Sequence, residues 1–211
     1  MKQILCFGDS NTYGLIPGTA DRYDWNVRWT GILDERVREK GYRVIEEGLC
    51  GRTTVFDDPL RDGRRGTELI SVLLETHKPV NIVVLMLGTN DCKAVYDASA
   101  EVIGKGVERL LEQIKSSDPN IKVLLVSPIE LGHKVWEEGY DPEFNELSVE
   151  VSRRLPEVYE KVARKRNIYF LPASRYAKPS EVDREHLDKE EHQKLADAII
   201  HKIEGVIDHG Y

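Results

Sequence analysis

Four short blocks of this chain carry residue types that together could perform nucleophilic chemistry: Gly8-Asp9-Ser10, Gly48-Leu49-Cys50-Gly51-Arg52-Thr53-Thr54, Gly88-Thr89-Asn90-Asp91 and Asp183-Arg184-Glu185-His186. A serine hydroxyl is unreactive at its own pKa, so Ser10 needs a base within hydrogen-bond reach and a third group to orient that base. Asp183 and His186 can supply both. Three residues apart in a turn, the carboxylate accepts from one ring nitrogen while the other nitrogen faces the serine. Attack on a carbonyl creates an oxyanion, which needs donors aimed at where the charge develops. The backbone N–H groups of Ser10 and Gly51 and the side-chain amide of Asn90 are the candidates. Gly51 suits that role because a residue without Cβ lets its amide approach a ligand closely.

The same residues have plainer readings. Ser and Asn after a strand commonly cap a helix. Alternatively, Ser10-Asn11-Thr12-Tyr13-Gly14 could cradle a phosphate or cofactor, as first loops do in flavodoxin-like folds, although that leaves Asn90 and His186 without a task. His192 competes with His186 as the base, but only His186 has an aspartate at minus three. His192 is expected to cap or solvate the first turn of a last helix, and His77, His133, His201 and His209 read as surface residues. With no His-x-x-x-His or paired-carboxylate spacing, neither a metal site nor a cofactor is expected. Cys50 and Cys92 adjoin the blocks but read as small packing residues. Asp9 and Asp91 are expected to hold loops by accepting from backbone N–H groups. Asp9, Asn11 and Tyr13 beside the serine, with Trp25 and Phe56 in nearby loops, are the candidates to wall a substrate pocket.

The elements that must position these blocks can be read from the hydrophobic pattern. Short strand-like runs over residues 3–7, 43–47, 81–87, 122–127 and 168–171 alternate with longer helical patterns, residues 3–7 with the apolar character of a buried parallel strand, and each of the first three is followed by a block. Between them, apolar residues recur at helical spacing, as in Ile103, Val107, Leu110, Leu111, Ile114 and in Leu195, Ala196, Ile199, Ile200, Ile203, Ile207. Trp29, Ile32, Leu33 and Val37 predict a helix from about Arg28, and Leu69, Ile70, Leu73 and Leu74 another before His77. Pro156 interrupts the pattern of Leu147, Val151, Leu155, Val158 and Val162, which is therefore two helices or one kinked helix. Five strands alternating with helices, joined by right-handed crossovers, imply an α/β protein: a three-layer α/β/α sandwich around a five-stranded parallel sheet, with all of residues 1–211 in a single domain. Ser10 then lies at the carboxyl edge of the sheet, where open α/β folds bind ligands. The aperiodic stretch 129–145, with Trp136, Tyr140 and Phe144, is longer than most loops and is expected to cover a site or pack on a partner.

Composition narrows the function class. The 211 residues carry a net charge of −7, with a pI near 5.5. That balance argues against nucleic acid as a partner, and the cluster Arg61, Arg64 and Arg65 is too short to reverse it. Three cysteines without Cys-x-x-Cys spacing support neither a disulfide framework nor a zinc knuckle. Neither a signal-peptide pattern nor an apolar run of membrane-spanning length is present, so the expectation is a cytoplasmic protein acting on a small molecule without a membrane partner.

Taken together, the four blocks resemble those of the SGNH hydrolases, the GDSL-type esterase and lipase superfamily. Position by position, Ser10, Gly51, Asn90 and His186 match the four residues that name the group, and Asp183 matches its triad acid. The chain is most similar to the bacterial arylesterase and acyltransferase branch known for perhydrolysis, in Pro17-Gly18-Thr19, Arg22-Tyr23-Asp24, Val27-Arg28-Trp29-Thr30-Gly31, Glu46-Glu47-Gly48-Leu49, Asp57-Asp58-Pro59 and Leu85-Met86-Leu87-Gly88. Asn11 stands where the superfamily's name has Leu, and Tyr13 where that branch often has Trp. The resemblance implies the flavodoxin-like SGNH fold and a serine esterase that hydrolyses, and can transfer, short acyl groups through an acyl-enzyme. It also implies a compact homo-oligomer. A carbohydrate O-deacetylase on the same machinery is the alternative within the superfamily, and a flavodoxin-like phosphate or cofactor binder is the alternative outside it.

Overall fold

A strand covered on both faces must be apolar along its whole length, because successive side chains point to opposite sides. The computed structural model, which describes residues 1–209, shows this directly. Strands β1 (Lys2–Gly8), β2 (Tyr42–Gly48), β3 (Ile82–Met86), β4 (Lys122–Ser127) and β5 (Tyr169–Pro172) form one parallel sheet in the order β2-β1-β3-β4-β5. Central β3 reads Ile-Val-Val-Leu-Met and is buried throughout. Edge strand β2 carries Arg43, Glu46 and Glu47, and only Tyr42 is fully buried there.

Among the described residues six α-helices complete the fold: α1 (Ser10–Tyr13), α2 (Trp29–Arg38), α3 (Gly66–Thr76), α4 (Ala100–Ser117), α5 (Glu146–Arg166) and α6 (Lys189–His209). The strand alternation divides the core between them. Leu5, Phe7, Val83, Leu85, Val123 and Leu125 pack with the apolar stripes of α3, α4 and α5, whereas Ile4, Cys6, Ile82, Val84, Leu124 and Val126 pack with those of α2 and α6. The result is the three-layer α/β/α sandwich. No helix of the described residues is long and apolar enough to cross a membrane.

Pro156 leaves α5 as one helix rather than two. Breaking the ladder at a mid-helix proline costs about 3 kcal/mol. Burial of Val151 and Leu155 before it and of Tyr159 and Val162 after it offsets that cost. The helix opens on a reciprocal cap between Asn145 and Ser148. The segment 129–145 forms no helix or strand, yet Leu131, Val135 and Phe144 are buried. It is tied to the body at both ends, by Leu131 N–H to Ser152 Oγ at 3.1 Å and by Ala94 N–H to the Glu143 carbonyl at 2.8 Å.

The sheet order reverses between β1 and β3: the chain leaves β1 for β2 on one side, then crosses to β3 on the other. The crevice outside the carboxyl ends of these two strands is where a doubly wound sheet accepts ligands. Ser10 follows β1 and Asn90 follows β3.

Candidate active site

The nucleophile candidate is positioned by the end of β1. At Gly8 a side chain would overlap Thr12 and the Met86 carbonyl, so the backbone passes there only without Cβ. Asp9 then caps α1, its Oδ1 accepting from Asn11 N–H at 3.0 Å. Ser10 opens this one-turn helix, where first-turn N–H groups have no partner within the helix.

His186 reaches Ser10 across the crevice, with Nε2 2.9 Å from Ser10 Oγ and Nδ1 2.8 Å from Asp183 Oδ2. Asp183 Oδ2 also accepts from Gly18 N–H at 3.0 Å, and Oδ1 accepts from the N–H groups of Glu185 and His186 at 3.1 and 3.0 Å. Burial pushes the Asp183 carboxyl up, but the bonds from His186 and the backbone outweigh it and hold the group below its usual range. Burial likewise pushes His186 down. The negative charges of Glu185 and Asp183 outweigh it, and the imidazole is raised to about 9.

The segment bearing His186 is braced from three sides. Asn11 clamps it with both amide atoms: Nδ2 donates to the Glu185 carbonyl at 3.3 Å and Oδ1 accepts from Leu187 N–H at 2.9 Å. The 129–145 segment holds it through Gly132 N–H to the Arg184 carbonyl at 2.8 Å, with the Arg184 guanidinium 4.0 Å over the Tyr140 ring. Within the segment itself, Ser180 N–H donates to the His186 carbonyl at 2.8 Å.

The two remaining blocks are bolted to each other. Asp91 accepts from Thr54 through both its N–H and its hydroxyl, and Asn90 Nδ2 donates to the Arg52 carbonyl at 3.2 Å, which leaves that amide a second hydrogen. Gly51 adopts φ of 82°, a left-handed conformation, beside the Arg61 guanidinium. Buried Arg52 ties this loop to β1. Its Nη1 donates to the carbonyls of Gly8, at 2.9 Å, and Glu47, and its guanidinium lies 4.2 Å over the Phe7 ring.

Ser10, His186 and Asp183 are thus joined directly, and Asn90 is joined to the residue after Gly51. The pocket candidates are placed differently. Asn11 is buried with its amide engaged in the clamp, and Asp9 is buried, its carboxyl pushed up to about 6 by desolvation. Tyr13 lies under the Arg22 guanidinium, 4.0 Å away. Trp25 sits 4.9 Å from the Arg28 guanidinium and close over Gly31 at the start of α2. Phe56 stacks on Tyr96, with ring centroids 4.7 Å apart.

His192 corrects an expectation: rather than meeting solvent at the start of α6, it is fully buried. Its Nδ1 faces Trp29 N–H at 3.4 Å and its ring meets Tyr23 edge-on, because α2 packs against α6 at that turn. The side chain of His209 lies outside the described part of the structure. Arg52 and Glu185 are not singled out by sequence. Both fall inside the quoted blocks, but loop residues have no periodicity that tells which way a side chain points.

The GDSL-like lipase/acylhydrolase family profile matches residues 6–201. Similar solved structures include a carbohydrate acetylesterase from Sinorhizobium meliloti, 31% identical, with a TM-score of 0.90 over 98% of this chain and 100% of that one. An inhibitor-bound aryl esterase of M. smegmatis is 31% identical, with a TM-score of 0.89 over 97% of this chain and 99% of that one. A lipolytic G-D-S-L protein from Veillonella parvula, 17% identical with a TM-score of 0.69, shares the fold. No curated protein matches the chain. Since the matched span takes in all four blocks, from Ser10 to His186, the chain belongs to the GDSL-like lipase/acylhydrolase family, whose members are hydrolases acting on esters.

Proposed function

We propose that the protein is a serine esterase of the SGNH type, and the observation that carries this is the hydrogen-bonded line from Asp183 through His186 to Ser10, at 2.8 and 2.9 Å. Ser10 Oγ forms a bond to the ester carbonyl carbon as its proton passes to Nε2 of His186, and the carbonyl electron pair moves onto oxygen. The N–H groups of Ser10 and Gly51 and the free amide hydrogen of Asn90 stabilise that charge. Collapse breaks the bond to the alcohol oxygen, which leaves with the proton from Nε2. Water, or a second alcohol in acyl transfer, then attacks the acyl-enzyme with His186 again as base. Asp183 fixes the tautomer that keeps Nε2 free for Ser10 and stabilises the imidazolium. The acetylesterase and aryl esterase among the similar structures support short acyl groups as substrates.

The test is intact mass after incubation with a fluorophosphonate. One adduct on the natural protein that is lost in Ser10→Ala, together with loss of nearly all ester turnover, is the expected result. An adduct retained in the variant would remove Ser10 from the mechanism. The family resemblance also favours a homo-oligomer, and the exposed side chains of Leu60, Val95 and Val182 offer apolar surface for one to bury. Sedimentation at the mass of one chain would refute that.

A further inference from the structure

Glu185 has no task in the steps above, yet it stands beside them. Its side chain is 8% exposed, and Oε1 lies 3.7 Å from His186 Nε2, the nitrogen that faces Ser10. That distance is too long for a hydrogen bond. Among the described residues none donates a hydrogen bond to either oxygen of this carboxyl, and burial pushes it up to about 7. The other charged groups around it are Asp141, Asp183 and Lys93, and the Lys93 ammonium is engaged by Glu143 at 2.6 Å. The other buried carboxylates of the site have donors: Asp9 has Asn11 at Oδ1, although its Oδ2 has none, Asp91 has Thr54, and Asp183 has His186 and three backbone N–H groups. The Glu185 oxygens are not sealed in, so the carboxylate opens onto the crevice, where water solvates it until a ligand displaces that water and must supply a donor in its place.

Its position shows which part of a ligand it would meet. Nε2 takes the proton from Ser10 and hands it to the departing oxygen, so an acceptor beside Nε2 lies on the alcohol side of the scissile bond, away from the oxyanion donors. We propose that Glu185 is a specificity-determining residue, whose carboxylate accepts a hydrogen bond from a second hydroxyl on the alcohol half of the ester, carried on the carbon next to the esterified one, as in an acetylated sugar or polyol. The inference rests on the reading of Ser10 and His186 as the reacting pair. A carboxylate is an acceptor only, and its bond to a hydroxyl is charge-assisted and short. An alcohol lacking that hydroxyl would keep the carboxylate out of water with nothing to bind, and would be turned over less well.

The probes are a methyl glycopyranoside monoacetate with a free neighbouring hydroxyl, its deoxy counterpart lacking that hydroxyl, and phenyl acetate. For the natural protein the kcat/KM ratio of the first to the second is expected to be about tenfold or more. Glu185→Leu is expected to bring the ratio near one, and Glu185→Gln, similar in shape and still an acceptor, to keep an intermediate ratio. Each protein is compared with itself on two substrates, so a loss of folded enzyme cancels. A ratio near one in the natural protein, or one that survives Glu185→Leu, overturns the proposal. If the ratio survives while the pH dependence moves, Glu185 acts only through His186. Failure of the catalytic reading looks different: no fluorophosphonate adduct on Ser10 and no turnover of phenyl acetate.

Discussion

Between Asp183 and Ser10 the imidazole of His186 is held by one carboxylate and approached by a second, and both raise its affinity for a proton. A general base must be neutral to act, so kcat/KM on a neutral ester is expected to rise with pH along a limb above the ordinary histidine value of 6.5, towards about 9. Glu185, Asp183 and Asp9 are the negative groups that raise it, against the effect of burial. Removing one charge with Glu185→Gln should move the limb to lower pH. A limb below 6.5 that the substitution leaves in place would show that the two groups are not coupled. Asp183→Asn keeps most of the packing but loses the charge and the tautomer control, and kcat is expected to fall by about 10³–10⁴, with residual turnover from the oxyanion donors. A loss of less than tenfold would count against the triad. The hydrogen-bonded line from Asp183 through His186 to Ser10 is legible in the sequence because chemistry restricts residue type, and only His186 has an aspartate three residues before it. Glu185 is not, because a charged loop residue reads as solvated until its burial is seen.

The elements explain how residues so far apart are held to within hydrogen-bond length. Asn11, where the superfamily's name has Leu, uses both amide atoms to tie α1 to the segment bearing His186. Asn11→Leu would leave the carbonyl of Glu185 and the N–H of Leu187 unpaired in a buried place, at a cost of about 1–3 kcal/mol. A melting temperature lower by several degrees is expected, along with a kcat reduced more than KM is raised, since those atoms flank His186. Normal kcat in a destabilised variant would make the clamp merely structural. All five strands are legible to within one residue at each end: β1, β3 and β4 because strands buried on both faces must be apolar runs, and the less buried edge strands β2 and β5 from their place between helical patterns. Helix α1 is not, since four residues are too few to show a period. The single helix through Pro156 stays ambiguous in the sequence because local propensity does not reveal the packing on either side of the proline. The burial of His192 is hidden for a related reason: it arises from α2, far away in sequence.

For the molecule as a whole, buried ionisable groups set how stability follows pH. Burial, with the nearby Arg28, depresses His192 from 6.5 to about 4, so the folded state keeps it neutral while the unfolded chain protonates. Its contribution is fully present above 6.5 and is lost as pH falls towards 4, amounting to about 3 kcal/mol. Asp9 and Asp91 act in the opposite sense. Raised by burial from 3.8 to about 6, they favour the folded state at low pH and lose that contribution as pH rises through 6. On acidification from pH 7 to 4.5 the loss at His192 and the gains at Asp9 and Asp91 oppose each other, so the change in melting temperature is expected to be more favourable in His192→Gln than in the natural protein. Equal slopes would mean that His192 takes up its proton without unfolding.

Ser10 and His186, proposed above as the reacting pair, are 176 positions apart in the chain, and on that reading neither reacts without the other. Contacts of such long range carry the largest loop-closure cost and form late. An ester that releases a coloured alcohol is thus also a probe of folding. It stays silent through collapse and through the closing of β1 against β2, and it reports only when α6 has docked and brought its leading loop to the end of the first strand. Turnover that recovers later than the burial of Trp29 during refolding would make the enzyme its own indicator of completed assembly.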